Sequence, residues 1–521
     1  MRLVAAAAVL VASAALLPLV YLLVRAAGAD ESSWDVVLDG RTLELVGRTA
    51  LLVAVVTAGS TVVGVGMAWL VERTDLPARR VFAVAAALPL VIPSYVTALA
   101  LLAAVGPGGL LGSAGWVFGL PGTGLALVLA TYPYVFLLCS AALRRMDPAL
   151  EEAARTLGRT RAQVFRQVTL PVLRPSIAGG AVLAALYALS DFGVVSLMRY
   201  DALTRAVFQQ YRSLFDRTPA ALLGLVLVTL TALVLLLEAR SRGKGRVRRS
   251  AAGADRPAQL APLGRWRLPA LAVALAVVAV ALVVPVGVLV SWSLRDSAVL
   301  PEAGELLGWA WHSVVGSGLA AVVAMVAALP VAVLASRRPR RATALLERAT
   351  YASNALPGIV IALSLVFFAT RVLPAVYQTL ALLVFAYVVR FLPQAMAGAH
   401  SALTRVDPDL ERAARGLGAS PARVLAKVTA PLMAPGLLAG ATLVFLSTMK
   451  ELPVTLLLGR RLEPFARDVG RGGERSGGHA CPELLEQDGV EAVALEHPAR
   501  ARIDLVEDVH AVASAAASDW A

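Results

Sequence analysis

Long apolar runs alternate with short polar or basic segments along most of the chain. A helix needs about 20 residues to cross a bilayer, and each run is long enough. Eight runs carry no charge and lie at 3–24, 49–71, 81–105, 124–142, 218–237, 268–291, 313–335 and 349–368. Three more lie at 176–198, 380–400 and 436–458 and are apolar except for Asp191, Arg390, Lys450 and Glu451. The pattern predicts an all-α polytopic membrane protein with eleven spans.

Composition agrees with this prediction. The 521 residues are 58% hydrophobic and 16% charged, and the mean hydropathy is +0.73, whereas soluble domains are about 45–50% apolar. A soluble multidomain enzyme is therefore excluded. Cys139 and Cys481 lie far apart in the sequence and match neither a zinc-ligand nor a redox spacing.

The basic residues are unevenly distributed between the two sets of segments that connect the spans. One alternating set holds 30 Lys and Arg, and the opposite set up to Arg371 holds nine. By the positive-inside rule the N-terminus and the loops 143–175 and 401–435 are predicted to be cytoplasmic. This distribution accounts for most of the net charge of +13 without a nucleic-acid partner. The basic segment 239–267 is interpreted as a linker that meets anionic lipid head groups of the bilayer.

The two predicted cytoplasmic loops contain an internal repeat. Residues 147–175 and 407–435 align without a gap at an offset of 260, and 15 of 29 positions are identical. Residues 90–101 resemble residues 354–365 at an offset of 264. The chain is therefore predicted to consist of two homologous halves, 1–238 with six spans and 268–458 with five. Because both repeated loops lie on one side, the halves form a parallel repeat.

Each repeated loop is predicted to form a helix, a glycine bend and a second helix that stops at Pro171 or Pro431. Asp147 is suited to cap the first helix, and Gly158 to end it in a left-handed conformation. The apolar strip of the second helix could face lipid or the protein's own helix ends. Two matched copies favour instead a repeated docking surface for a symmetric soluble partner.

The first loop resembles the characteristic loop of binding-protein-dependent ABC importer permeases. The family pattern is Glu-Ala-Ala, three residues, Gly, nine residues, Ile, any residue and Leu-Pro. It matches here at Glu152, Ala153, Ala154, Gly158, Val168, Leu170 and Pro171. The second copy departs from the pattern, because Arg412 replaces the first glutamate and Ala430 the leucine. This departure puts the equivalence of the two docking contacts in doubt.

The resemblance implies that these loops couple the permease to a cytoplasmic ATP-binding subunit, present in two copies. It implies that Glu151, Glu152 and Glu411 are polar anchors for that subunit and that Gly158 and Gly418 form the bends. It also implies that small side chains allow the subunit to approach closely, at Ala153, Ala154, Ala413 and Ala414. The sequence contains no G-x-x-x-x-G-K-[ST] phosphate loop. ATP and magnesium are therefore expected on the partner subunit, and no cofactor or resident metal is expected on this chain, which is not expected to be an enzyme.

The fused halves resemble ferric iron and thiamine permeases, and residues 190–217 are especially similar to the iron(III) group. The resemblance covers about residues 1–458 and implies an extracytoplasmic solute-binding protein and a place in the inner membrane of a bacterium. An ion-coupled secondary transporter is the alternative of another class, but it needs no repeated docking surface.

The four charged residues within spans are expected to face protein or water, since a charge at mid-bilayer costs about 2.5–3.5 kcal/mol on insertion scales. Asp191 and Glu451 occupy equivalent places in the two halves, and carboxylates suit a hard cation such as Fe(III). They are candidates for the translocation path, together with Arg390 and Lys450. Structural ion pairing among the four is the competing interpretation.

The tail 459–521 lacks an apolar run long enough for the last span that the family pattern requires. It also carries net negative charge, unlike the rest of the chain. The hypothesis is a frameshifted or truncated C-terminus.

Overall fold

A computed structural model describes residues 2–107, 109–110, 112, 114–212, 218–241, 260–295, 303–337, 340–404 and 406–459. Within these residues the regular structure is helical, apart from one isolated bridge between Thr74 and Ala261. Most of the predicted linker and all but the first residue of the predicted tail lie outside the described residues, so both stay predictions.

The described residues of the first half form twelve α-helices. They are α1 (Arg2–Ala27), α2 (Glu31–Leu38), α3 (Gly40–Arg73), α4 (Arg79–Ala85), α5 (Ser94–Val105), α6 (Gly119–Arg145), α7 (Pro148–Thr156), α8 (Arg161–Val164), α9 (Leu170–Ser190), α10 (Gly193–Leu197), α11 (Leu203–Arg212) and α12 (Thr218–Ser241). A π-helical turn at Phe165–Thr169 joins α8 to α9.

In the part of the second half that the structure describes there are ten α-helices, in a similar order. They are α13 (Arg267–Val278), α14 (Val284–Arg295), α15 (Ala303–Arg337), α16 (Arg341–Ala352), α17 (Gly358–Val372), α18 (Leu380–Leu403), α19 (Pro408–Gly416), α20 (Pro421–Val424), α21 (Ala430–Thr448) and α22 (Leu452–Leu458). π-helical turns lie at Ala279–Val283 and Leu425–Thr429. Short 3₁₀ helices among the described residues are Leu88–Val91, Gly115–Val117, Gly264–Trp266, Ser353–Ala355 and Pro374–Val376.

Among the described residues, nine helices are long and apolar enough to cross a membrane, and one bent pair raises this to ten. Four of the eleven predicted spans are not continuous helices. Two of them, 176–198 and 436–458, break beside Asp191 and Glu451. The other two break at prolines. The run 81–105 bends by 100° between Arg79–Val91 and α5, and the run 349–368 is interrupted before α17. The breaks fall at Pro93 and Pro357, which correspond at the offset of 264. Proline lacks the amide donor and keeps the preceding residue out of the helical region, so both breaks have the same cause.

One compact unit comprises the described residues of Leu19–Val299 together with Ala355–Val360. Its core contains α3, α6 and α9, each packed against the other two. The helix pair α13 and α14 also belongs to this unit, and α14 packs on α5. The first span of the second repeat therefore completes the unit that holds most of the first repeat.

The other unit comprises the described residues of Met1–Pro18, Leu300–Asn354 and the chain from Ile361. Here α15, α18 and α21 form the mutually packed core. These are the counterparts of α3, α6 and α9, so the sequence repeat is also a repeat of helix packing. The pattern of helix contacts is the same although the side chains differ.

Close approach of α3 to α6 depends on Gly64. A Cβ atom there would lie 2.7 Å from the Cβ of Val135 and 2.9 Å from both the Phe136 nitrogen and the Tyr132 oxygen. Two of these atoms belong to the backbone of α6, so a side chain at this position forces the helices apart. A Cβ atom at Gly66, two residues further along α3, would meet no neighbouring atom within 4 Å.

We expect Gly64→Ala to destabilise the protein by about 1–3 kcal/mol, the usual cost of overpacking. Gly66→Ala is the matched control and should leave stability unchanged or slightly raised, since alanine favours a helix by about 1 kcal/mol over glycine. Thermal unfolding of the two variants in one detergent measures the difference. Equal melting temperatures would contradict the assigned α3–α6 contact.

Candidate coupling site and membrane-embedded charges

The first loop folds as its capping residues predict. The Asp147 side chain accepts a hydrogen bond from the Ala149 amide at 2.9 Å, and Pro148 opens α7. Gly158 adopts φ +78° directly after the helix, a conformation that costs glycine little. Thr160 then caps α8, because its hydroxyl accepts from the Gln163 amide at 3.4 Å. The predicted helix, bend and helix are confirmed.

The second loop has the same local structure. Asp407 accepts from the Asp409 amide at 2.9 Å, Gly418 has φ +81°, and Ser420 accepts from the Arg423 amide at 3.4 Å. The two loops therefore present α7 and α19, here called the coupling helices, with equivalent geometry.

The second helix of each loop does not stop at its proline, which corrects the sequence-based expectation. The chain runs from α8 through the π-helical turn into α9, and Ala162–Ser190 is one apolar span. The Leu170 amide donates a hydrogen bond to the carbonyl oxygen of Phe165, five residues earlier. Pro171 follows at the next position and has no amide to contribute. One wider turn accommodates its ring without a break, and the same turn precedes Pro431 in the second half.

Glu151 points into the protein. Its Oε1 accepts from the Thr169 hydroxyl at 2.8 Å and lies 3.6 Å from the Arg73 Nε. All three residues are buried. Arg73 is the last residue of α3 and also donates to the Leu143 carbonyl at 3.0 Å. Arg73, Glu151 and Thr169 are called the first clamp.

Glu411 has the same arrangement in the second half. Two guanidinium nitrogens of Arg337 donate to its two carboxylate oxygens, and the Thr429 hydroxyl donates at 2.8 Å. The hydrogen bonds from Arg337 hold the pKa of the Glu411 carboxyl below its usual range, although burial opposes this. The carboxylate is therefore ionised at neutral pH. Arg337, Glu411 and Thr429 are called the second clamp.

The outward face of each coupling helix is apolar rather than acidic. The residues that share this face are spaced i, i+3 and i+7, as one side of a helix requires. They are Leu150, Ala153 and Leu157 in the first loop and Leu410, Ala413 and Leu417 in the second, and both pairs of leucines are exposed. Leu157 is 82% exposed and Leu417 is 90% exposed. Sequence reasoning missed these leucines, although their identity at both copies was a visible signal.

The remaining predicted coupling residues lie beside this face. Glu152 is exposed, and its counterpart Arg412 pairs with the nearby Asp409 at the surface. Ala154 and Ala414 are half-buried. Of the three predicted glutamate anchors, only Glu152 thus projects from the loop, whereas Glu151 and Glu411 are bonded within the chain.

Asp191 lies where α9 ends rather than inside a continuous helix. Its Oδ2 accepts from the Ser94 hydroxyl at 2.5 Å, and its Oδ1 accepts from the Val194 amide at 2.9 Å. The residue is 8% exposed. Two donors for a buried carboxylate give Asp191 a structural function at the junction of α5, α9 and α10.

Glu451 occupies the corresponding break between α21 and α22. Its Oε2 lies 3.8 Å from the Arg390 Nε, and both side chains are largely buried. Lys450, the adjacent residue, is half-buried. The structure thus shows one of the ion pairs that sequence analysis set against a function in the path. A function of these four residues in translocation stays a prediction.

No group of three or more His, Cys, Asp or Glu side chains that could hold a metal ion occurs in the part of the chain that the structure describes.

The repeated helical units, the paired loops and the polar residues at mid-span breaks define a polytopic membrane transport protein. The family of binding-protein-dependent transport system inner membrane components matches residues 60–242 and 328–462. The chain belongs to this family. It is accordingly a multi-pass inner-membrane permease and a transport protein rather than an enzyme, and family members work with a separate ATPase and a substrate-binding protein.

Several curated proteins are similar over much of the chain. The Fe(3+)-transport system permease protein FbpB 2 of Haemophilus influenzae is 32% identical over 448 residues, covering 85% of this chain and 86% of that protein. The ferric transport system permease protein FbpB of Actinobacillus pleuropneumoniae is 24% identical over 81% of this chain and 65% of its own length. The sulfate transport system permease protein CysT of Salmonella typhimurium is 32% identical, but over 31% of this chain and 61% of its own length.

We expect Ser94→Ala to destabilise the protein by about 1.5–3 kcal/mol, the value of a hydrogen bond to a charged group. The lost hydroxyl leaves a buried carboxylate oxygen with one donor fewer. Ser140→Ala is the matched control, because the Ser140 hydroxyl is buried and has no hydrogen-bond partner among the described residues. Thermal unfolding measures the loss of stability in each variant. An equal loss for the two substitutions would contradict the function assigned to Ser94.

Proposed function

We propose that this chain is the permease of an importer that carries iron(III) across the inner membrane. An extracytoplasmic binding protein delivers the ion, and two copies of a cytoplasmic ATPase subunit, which bind ATP and magnesium, drive alternating access. The observation that carries the proposal is the 32% identity to an Fe(3+)-transport permease over 85% of this chain. The sulfate relative is similar over a much shorter segment, which favours iron over that anion.

The proposal places the N-terminus and both coupling helices in the cytoplasm. The support is the distribution of Lys and Arg, with 30 on the proposed cytoplasmic side and nine on the other side up to Arg371. This orientation puts the exposed leucines of both coupling helices in water, where they are available to a soluble subunit.

The ATPase subunits bind the coupling helices through the apolar faces described above. Exposed leucines at both copies are unusual for the aqueous side of a membrane protein unless a partner covers them. Glu152 adds a charge at the edge of the first face, and Ala153 and Ala413 allow close approach. Arg412 makes the second contact electrostatically different, so the two docking contacts are similar in shape and unequal in charge.

Transport of iron(III) is tested with the full chain, its ATPase subunit and its binding protein reconstituted in liposomes. We expect ATP-dependent uptake of radioactive iron(III) from the loaded binding protein, and no uptake with an ATPase subunit that cannot hydrolyse ATP. Uptake of thiamine or sulfate in place of iron would overturn the proposed substrate while leaving the ATP-driven mechanism. Uptake that does not need ATP would reject the mechanism and favour an ion-coupled transporter.

We expect the double substitution Leu157→Ser and Leu417→Ser to weaken binding of the ATPase subunit by at least about tenfold. Each fully buried leucine contributes about 1.5–3 kcal/mol, and about 1.4 kcal/mol corresponds to tenfold. Leu373→Ser is the matched control, because Leu373 is exposed but lies on the opposite side in the proposed topology. Co-purification of the ATPase subunit with each variant measures the effect, and undiminished recovery with the double variant would argue against docking through these faces.

A further inference from the structure

The two loops share one glutamate and differ at the position that follows it. Glu151 corresponds to Glu411, whereas the exposed Glu152 is replaced by Arg412. The retained acid is the one that is buried and bonded inside the chain. Contact with a soluble partner does not explain this difference, because the partner would meet the exposed position. An internal function of the retained carboxylate does explain it.

Each clamp joins three elements that are separate in the sequence. In the first clamp, Arg73 ends the membrane-crossing α3, Glu151 belongs to the coupling helix α7, and Thr169 ends the π-helical turn that leads into α9. The carboxylate is thus the link between the coupling helix and the ends of two spans. The π-helical turn places the threonine at this point, and such turns are frequent at functional sites.

The second clamp repeats every member of the first. Glu411 and Thr429 correspond to Glu151 and Thr169 at the offset of 260. Arg337 ends α15 and corresponds to Arg73 at the offset of 264, which is also the offset between the two prolines at the breaks. The second clamp is tighter, because Arg337 forms two hydrogen bonds to the carboxylate, while Arg73 approaches to 3.6 Å. Repetition of an arginine at the end of a distant span, together with the glutamate and the threonine, is not explained by local folding of the loops.

We propose that Arg73 and Arg337 are positioning residues that tie each coupling helix to the end of a transmembrane helix. Displacement of α7 or α19 by the ATPase subunit is then transmitted through the carboxylate to α3 or α15. Thr169 and Thr429 transmit it in the same way to α9 and α21. This inference rests on the proposed ATP-driven function.

The physical basis is the cost of separating an arginine from a buried carboxylate, since Glu151 and Glu411 are both buried. A carboxylate that loses its arginine while buried is left without compensation, which is far less favourable than moving both partners together. The coupling helix and the span end therefore move as one body. The tighter second clamp should transmit more of the displacement.

The test compares Arg337→Gln and Arg73→Gln in the reconstituted complex of permease, ATPase subunit and binding protein. The measurement is the amount of iron(III) taken up per ATP hydrolysed. We expect this ratio to fall between about twofold and about thirtyfold, the range of mutational effects on coupling between sites, and to fall further for Arg337→Gln. ATP hydrolysis should continue, and Arg337→Lys, which keeps the charge but not the paired hydrogen bonds, should restore part of the ratio.

Arg144→Gln is the matched control. Arg144 pairs with Glu72 at 2.7 Å and so joins α6 to α3 one residue from Arg73. Among the described residues its ion pair and hydrogen bond are both with Glu72, which is outside the coupling helices. This variant should keep the full ratio, because its ion pair lies outside both clamps. An equal loss in Arg144→Gln and Arg337→Gln would show general destabilisation and overturn the proposal.

A full ratio in both clamp variants would also overturn the proposal, provided that the unsubstituted complex transports iron(III). Failure of the unsubstituted complex would count against the proposed function instead. If Arg337→Gln does not assemble with the ATPase subunit, Thr429→Val gives the same test, since it keeps the shape and removes one bond to Glu411. A lowered ratio in Thr429→Val supports the second clamp, and an unchanged ratio rejects it.

Discussion

Removal of water from polar groups is the constraint on which the rest of this structure depends. Inside a bilayer each backbone amide and carbonyl needs an internal partner, so the apolar runs form helices. The helices are interrupted at Pro93 and Pro357, where proline withholds an amide, and at Asp191 and Glu451, where a carboxylate lies at the break. Arg390 lies within α18, and its guanidinium approaches the carboxylate at one of these breaks.

The two halves share their helix packing but use different side chains to bond the buried polar groups. Asp191 is satisfied by the Ser94 hydroxyl, whereas Gly358 stands at the corresponding place in the second half and offers no side-chain donor. There the longer Glu451 lies near Arg390 instead. The helix packing is repeated, but the polar interior is not. Each half therefore has different polar side chains at its mid-span break.

Features governed by neighbouring residues were predictable from the sequence, and features that join distant segments were not. Asp147 and Gly158 act within one turn of helix, so the capped coupling helix follows from local preference. Arg73 is far from Glu151 in the sequence, and nothing local indicates that they meet or that the glutamate faces inward. The resemblance to the family implies that Glu151 anchors a partner, whereas the fold places its side chain inside the protein. The wider turn before Pro171 likewise allows a helix to continue where proline usually ends one.

Assignment of α13 and α14 to the unit of the first repeat has a consequence for biosynthesis. Ala274 and Ala281 belong to the same apolar core as α3 and α6, so this core stays incomplete until the ribosome has passed the basic segment and made the next span. Residues 1–238 alone would leave an apolar surface on α5 without its natural cover. Folding of the first repeat therefore depends on a helix pair from the second repeat. Because both repeats belong to one chain, α13 and α14 are made in the same number as the unit that they complete, and near to it.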